Sequence, residues 1–140
     1  MNRFLTRYPT RLLALISIAF VWYLLDPAGV PAAETVRHIA VSLGDYRFSP
    51  DTISVRPGET VELELTNTDR LTPHNFTLQA QDAGLDVDVD VSAGQTRVVD
   101  VTPRVPGTYT FYCNKKLPLM KSHRDRGMHG TLVVGAASLP

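Results

Sequence analysis

From Val61 to Thr66 the chain alternates strictly, with Val61, Leu63 and Leu65 apolar and Glu62, Glu64 and Thr66 polar. A period of two puts each set on its own side of a pleated strand, so one face is buried and the other wet, as in an antiparallel sandwich. Similar short segments recur down the chain. Ile39, Val41 and Leu43 alternate with small residues, Ile53 and Val55 follow, and Phe76 and Leu78 continue inward from His74. Val87, Val89 and Val91 alternate with Asp86, Asp88 and Asp90, which reads as a solvated edge strand that resists pairing with other sheets. Segments 95–101, 108–113 and 131–134 complete the set, and turn residues such as Gly44-Asp45, Pro57-Gly58 and Ser92-Ala93-Gly94 separate them. About eight short strands without a convincing helix between them predict an all-β Greek-key sandwich or barrel.

The first thirty or so residues do not fit this pattern. Arg3, Arg7 and Arg11 precede an apolar run over residues 12–25, stopped by Asp26-Pro27 and followed by small residues. That is the three-part layout of a secretory leader, a hydrophobic helix shorter than the roughly 20 residues that span a bilayer comfortably. Residues 1–32 are therefore expected to be a signal peptide cleaved after Ala32 or an N-terminal membrane anchor, and residues 33–140 an exported, periplasmic or otherwise extracytoplasmic domain. Such a domain is large enough to bury a core. The chain's 14 basic and 14 acidic side chains balance, which implies no nucleic-acid or bulk-membrane partner.

Export makes the lone Cys113 informative, because oxidising compartments usually hold cysteines in pairs and no internal disulfide is available. It is either a small buried hydrophobe or a thiolate protected by a metal. His123 and Met128 follow on the same loop, and thiolate, imidazole and thioether are the donors that protein copper sites favour. His74, expected where a polar loop enters a strand, is the best candidate for a second imidazole. His129, next to Met128, is expected to point the opposite way, Met120 is the less favoured thioether, and His38 is expected on the surface. The segment between Asn114 and Gly130 is long for a structureless loop in a compact domain, which predicts function or a short helical turn there.

Phe48, Pro50, Ile53, Val55, Gly58 and Val61, then Asn67 and His74-Asn75-Phe76, then Pro106-Gly107-Thr108-Tyr109, Tyr112-Cys113, His123, Gly127-Met128 and Gly130-Thr131-Leu132 form a sequence that resembles the cupredoxins, the small blue-copper proteins with plastocyanin-like and azurin-like members. The resemblance runs from about Val36 to Val134. It implies one copper ion cycling between cuprous and cupric states, with His74, Cys113 and His123 as ligands and Met128 as the axial thioether. It also implies that Asn75 ties the ligand loops together and steadies the thiolate, with Asn114 a candidate for the same task. The chain departs from the family between Cys113 and His123, where nine residues stand in place of the usual two to four.

The implied role is one-electron carriage without bond-making, so no enzyme activity is expected. Leu117, Leu119 and Met120, rimmed by Lys115, Lys116 and Lys121, are candidate docking residues for a redox partner protein with an acidic face. Copper storage or delivery with the same ligands is the alternative. A thiol enzyme using Cys113 and His123 lacks a visible oxyanion hole or orienting carboxylate, and a metal-free binding sandwich would show no metal dependence in its stability.

Overall fold

The computed structural model describes residues 36–135. The expected leader at residues 1–32, its expected cleavage point and the C-terminal tail lie outside the described residues. None of the described helical turns is long and apolar enough to cross a membrane. Nine strands form: β1 (Arg37–Gly44), β2 (Arg47–Ser49), β3 (Thr52–Val55), β4 (Val61–Asn67), β5 (His74–Ala80), β6 (Leu85–Val91), β7 (Thr96–Val101), β8 (Gly107–Tyr112) and β9 (His129–Val134). They make a sandwich of a four-stranded sheet, ordered β2-β1-β4-β7, and a five-stranded sheet, ordered β3-β9-β8-β5-β6. The round figure of eight falls one short because the three residues of β2 do pair with β1. Helix among the described residues is confined to single 3-10 turns at Gln81–Ala83 and Arg124–Arg126.

The sandwich is mixed rather than antiparallel throughout. β1 runs parallel to β4, and β3 runs parallel to β9. Alternation decides which face of a strand is buried, not the direction of its neighbour. Parallel neighbours need a crossover, and the chain supplies one by placing β3 in the opposite sheet between β1 and β4. The β1–β2 hairpin turns on Asp45 and Tyr46, both in the left-handed region at φ 49° and 57°. Two consecutive positive φ values match the twist of a two-residue hairpin, but a tyrosine there is unusual.

Inward positions of both sheets fill one core. Leu43, Leu63 and Leu65 come from the first sheet, and Phe76, Leu78, Phe111 and Leu132 from the second. Phe48 meets Phe111 and Phe76 edge-on at 5.1 and 5.8 Å, while Phe76 and Phe111 stack at 5.0 Å. Burying each such ring stabilises the fold by about 2–3 kcal/mol. His74 stands two residues before Phe76 on β5, and Cys113 two residues after Phe111 at the end of β8. The period of two therefore carries both onto the core face, at one open end of the sandwich.

Candidate metal centre

Each segment of the site is shaped by local chemistry. After Cys113, His123 N–H donates to Lys115 O at 2.8 Å, so the chain leaves and returns at nearly one point. The extra residues of the long Cys113–His123 interval form an excursion pinched at its base, and the ligand-bearing ends stay close. Ser122 and Asp125 then bond reciprocally: Ser122 N–H donates to Asp125 Oδ2 at 3.2 Å, and Asp125 N–H to Ser122 Oγ at 3.1 Å. That box starts the helical turn expected in this segment, and Gly127, at φ 98°, ends it. Met128 N–H returns to His123 O at 3.0 Å, and Cys113 N–H donates to Met128 O at 3.1 Å. Met128 is thus locked beside both other residues of its loop and is fully buried, while His129 is exposed.

The three strongest donors converge. His74, Cys113 and His123 form one buried cluster. The two Nδ1 atoms lie 3.1 Å apart, and Cys113 Sγ lies 3.8 Å from that of His74 and 3.4 Å from that of His123. Metal–nitrogen and metal–thiolate bonds of about 2.0 and 2.3 Å, the lengths zinc adopts, would separate donors in a trigonal plane by about 3.5 and 3.7 Å. The observed spacing fits one ion within a few tenths of an ångström. A thiolate, two imidazoles and a buried thioether are a copper donor set, so these residues fit one copper ion.

Burial sets the electrostatics. It pushes the Cys113 thiol above its ordinary value, and the backbone N–H groups of Asn75 and Lys115 offset this only partly. Burial and the neighbouring His74 push His123 below its ordinary value, so its ring is neutral at neutral pH with a lone pair to offer. The Asp69 carboxyl is pushed up by its own burial, yet bonds from His74 and the Asp45 N–H bring it below its ordinary value.

The resemblance implied a tie through Asn75, and a network of that kind is present. Asn75 N–H points at Cys113 Sγ from 3.4 Å. Its side-chain oxygen accepts from Asn114 N–H at 2.9 Å, and its Nδ2 lies within bonding distance of Asn114 Oδ1, Thr77 Oγ1 and Asp88 Oδ1. The acidic face of β6 is therefore more than a solvated edge: Asp88 closes this network, and Asp90 pairs with Lys115 at 2.6 Å. Removing the amide strands several partly buried groups at once, so Asn75→Ala is expected to cost about 2 kcal/mol. Urea unfolding of the metal-free variant measures that loss, and an unchanged midpoint would show that the network carries no weight.

Two residues of the site carried no signal in the sequence. Tyr46 lies edge-on to His123 at 4.8 Å and to His74 at 6.2 Å, with Arg126 over its ring at 4.6 Å. Asp69 reaches His74 from the β4–β5 loop. In the sequence Asp69 is one residue of a polar loop and Tyr46 only follows a Gly44-Asp45 break, and neither position names a target. His123 is 7 % exposed and borders a surface depression with Tyr46, Leu71, Thr72, Pro73, Lys115, Lys116 and Leu117. Of the other docking candidates, Leu119, Met120 and Lys121 are exposed. His38 is on the surface, where it pairs with Glu62 at 2.7 Å.

Comparison with known proteins agrees with this geometry. The family model for the cupredoxin-like domain matches residues 13–134. A plastocyanin of the fern Dryopteris crassirhizoma is 33% identical over 104 residues, covering 66% of this chain and 91% of its own length. A plastocyanin of Prochlorothrix hollandica is 28% identical over 113 residues, covering 76% and 79%. In fold, the chain is similar to dithionite-reduced auracyanin of the photosynthetic bacterium Roseiflexus castenholzii, with a TM-score of 0.57 at 20% identity over 72% of this chain and 98% of that one. Strand order, the buried His-Cys-His cluster and the family match over residues 13–134 converge on one conclusion: the chain belongs to the cupredoxin-like family.

Proposed function

We propose that the protein is an exported one-electron carrier whose copper is held by His74, Cys113, His123 and Met128. Copper in such a site supplies a single electron by passing between its cuprous and cupric states. The residues' task is to hold the donors still: core packing fixes His74 and Cys113, while the Ser122–Asp125 box and the Gly127 turn fix His123 and Met128. The observation that carries the proposal is the convergence of His74, Cys113 and His123 from β5, the end of β8 and the following loop. The likeness to plastocyanins supports the same reading. Adding cupric ion to the metal-free domain should produce intense absorption at roughly 600 nm, expected of a thiolate–copper bond. A colourless, metal-binding product would overturn the assignment.

Burial favours carriage over copper storage or delivery. Handing copper to an acceptor needs ligands that an incoming donor can reach, and His74, Cys113 and Met128 are all inaccessible. The same burial, with a raised thiol, is the reverse of what activates a cysteine nucleophile.

A redox partner would meet the protein where His123 nears the surface. Exposed Leu71, Leu117, Leu119 and Met120 lie in the two loops that border this end, with Lys116 and Lys121 beside them in sequence. Lys115 is already engaged by Asp90, so Lys116 and Lys121 are the docking lysines that pair with no carboxylate among the described residues. Reversing both charges should slow association with an acidic partner severalfold at low salt and little at high salt. An on-rate that ignores the double reversal would remove electrostatic steering.

Residues 1–32 act in this proposal as the leader that places the domain outside the cytoplasm. Sequencing the N-terminus of the mature protein tests it. A start at Ala33 means cleavage, an intact leader in the membrane fraction means an anchor, and a full-length cytosolic protein overturns export.

A further inference from the structure

His74 is the most deeply buried of the imidazoles, and its two nitrogens face different surroundings. Nδ1 faces Cys113 and His123, whereas Nε2 lies 2.8 Å from Asp69 Oδ2. An ionised carboxylate only accepts, so the hydrogen of the neutral ring sits on Nε2 and the Nδ1 lone pair is directed into the cluster. Asp69 is itself held in place. Its Oδ1 accepts from Asp45 N–H at 3.1 Å, and its own N–H donates to Asn67 Oδ1 at 3.0 Å. Asn67, fully buried, donates through Nδ2 to Thr72 O and Val91 O, both at 2.9 Å, which fixes the loop that carries Asp69. Gly44 makes room, because a Cβ there would collide with Thr68 Oγ1 and approach Asp69 Oδ1. Donors meet both carboxylate oxygens, a demand that an amide in the same place could not satisfy on both sides.

From this arrangement we infer that Asp69 is a positioning residue that fixes the tautomer of His74 and places a negative charge one ring away from the ion, favouring the higher charge state and lowering the reduction potential of the site. The inference rests on the copper reading above. A backbone carbonyl would fix the same tautomer but would bring no net charge. The fully buried ring passes that charge through a medium that screens it weakly, and Asp69 is itself mostly shielded, with its side chain 20% exposed. His123 has no carboxylate hydrogen-bond partner among the described residues, so a carboxylate fixes the tautomer of the deeper imidazole alone. The carrier is thereby set toward the donor side of its potential range.

Asp69→Asn removes the charge and keeps the shape. The potential of the copper-loaded variant, measured by voltammetry, is expected to rise. A tenfold loss of preference for the cupric state appears as a rise of about 59 mV, the one-electron equivalent of that factor. Copper affinity should fall by roughly 10–100-fold. Nitrogen NMR of the metal-free proteins reads the tautomer independently, with Nε2–H expected for the unsubstituted chain and a mixture for the variant. An unchanged potential in a variant that keeps its colour overturns the inference, as does Nδ1–H in the unsubstituted metal-free protein. Failure of the unsubstituted domain to become coloured would remove the copper reading alone, and the tautomer would still decide the part played by Asp69.

Discussion

Cys113→Ser protein supplied with cupric ion is expected to be colourless under conditions in which the unsubstituted domain absorbs intensely. Absorption of that strength needs charge transfer from a thiolate, and Cys113 carries the chain's one thiol. The hydroxyl that replaces it is a harder and far weaker ligand, so copper retention by the remaining imidazoles and thioether should fall steeply. Metal-free stability should change by only about 1 kcal/mol, since serine is close in size and its oxygen can accept from Asn75 N–H as Sγ does at 3.4 Å. Copper-loaded unsubstituted protein should gain melting temperature by mass action, as an ion bound only by the folded state adds about 2.7 kcal/mol at one hundred times Kd. The variant should lose that gain. A visible spectrum and paired melts with and without copper check both, and a coloured serine variant would show that the absorption does not arise from a thiolate–copper bond at residue 113.

The second large effect is structural. Gly130→Ala should destabilise the domain by about 3 kcal/mol, the upper end of the usual cost of overpacking. Gly130 pairs with Phe111 across β8 and β9, and a Cβ there would collide with Cζ and Cε2 of that ring and with the backbone oxygen of Asp51. Neither obstacle can move cheaply. Phe111 is stacked on Phe76 and edge-on to Phe48, and Asp51 O accepts Thr131 N–H at 2.8 Å. Because Phe111 lies two residues before Cys113, the strain should also disturb the site. Urea unfolding measures the loss, and a change below about 0.5 kcal/mol would show that the ring slides aside.

Leader apart, much of the architecture was legible because the signals that mark it are local. Alternation at Val61 to Thr66 reports a half-buried strand whatever lies beside it. The parallel pairings of β1 with β4 and β3 with β9 were not legible, because direction depends on which sheet the chain enters after Ser49. The long Cys113–His123 interval counted against a family-like site when judged by residue number. One hydrogen bond, from His123 N–H to Lys115 O, lets the excursion leave and rejoin the loop at one point, so the interval's length does not keep His123 from the cluster.

The amino-acid sequence by itself determined the chemistry available: one thiol, few imidazoles, a buried-side period that carries His74 and Cys113 inward beyond Phe76 and Phe111, and turn residues that bring Met128 back. These follow from side-chain identity and from backbone periods only a few residues long. Tertiary structure alone decided that Asp69 closes on His74, that Tyr46 lies against His123, and that Asn75 joins Asn114 to Asp88. Those contacts join groups from separate strands and loops. Their distances are set by how two sheets pack and cross, a property of the whole chain that no local pattern encodes.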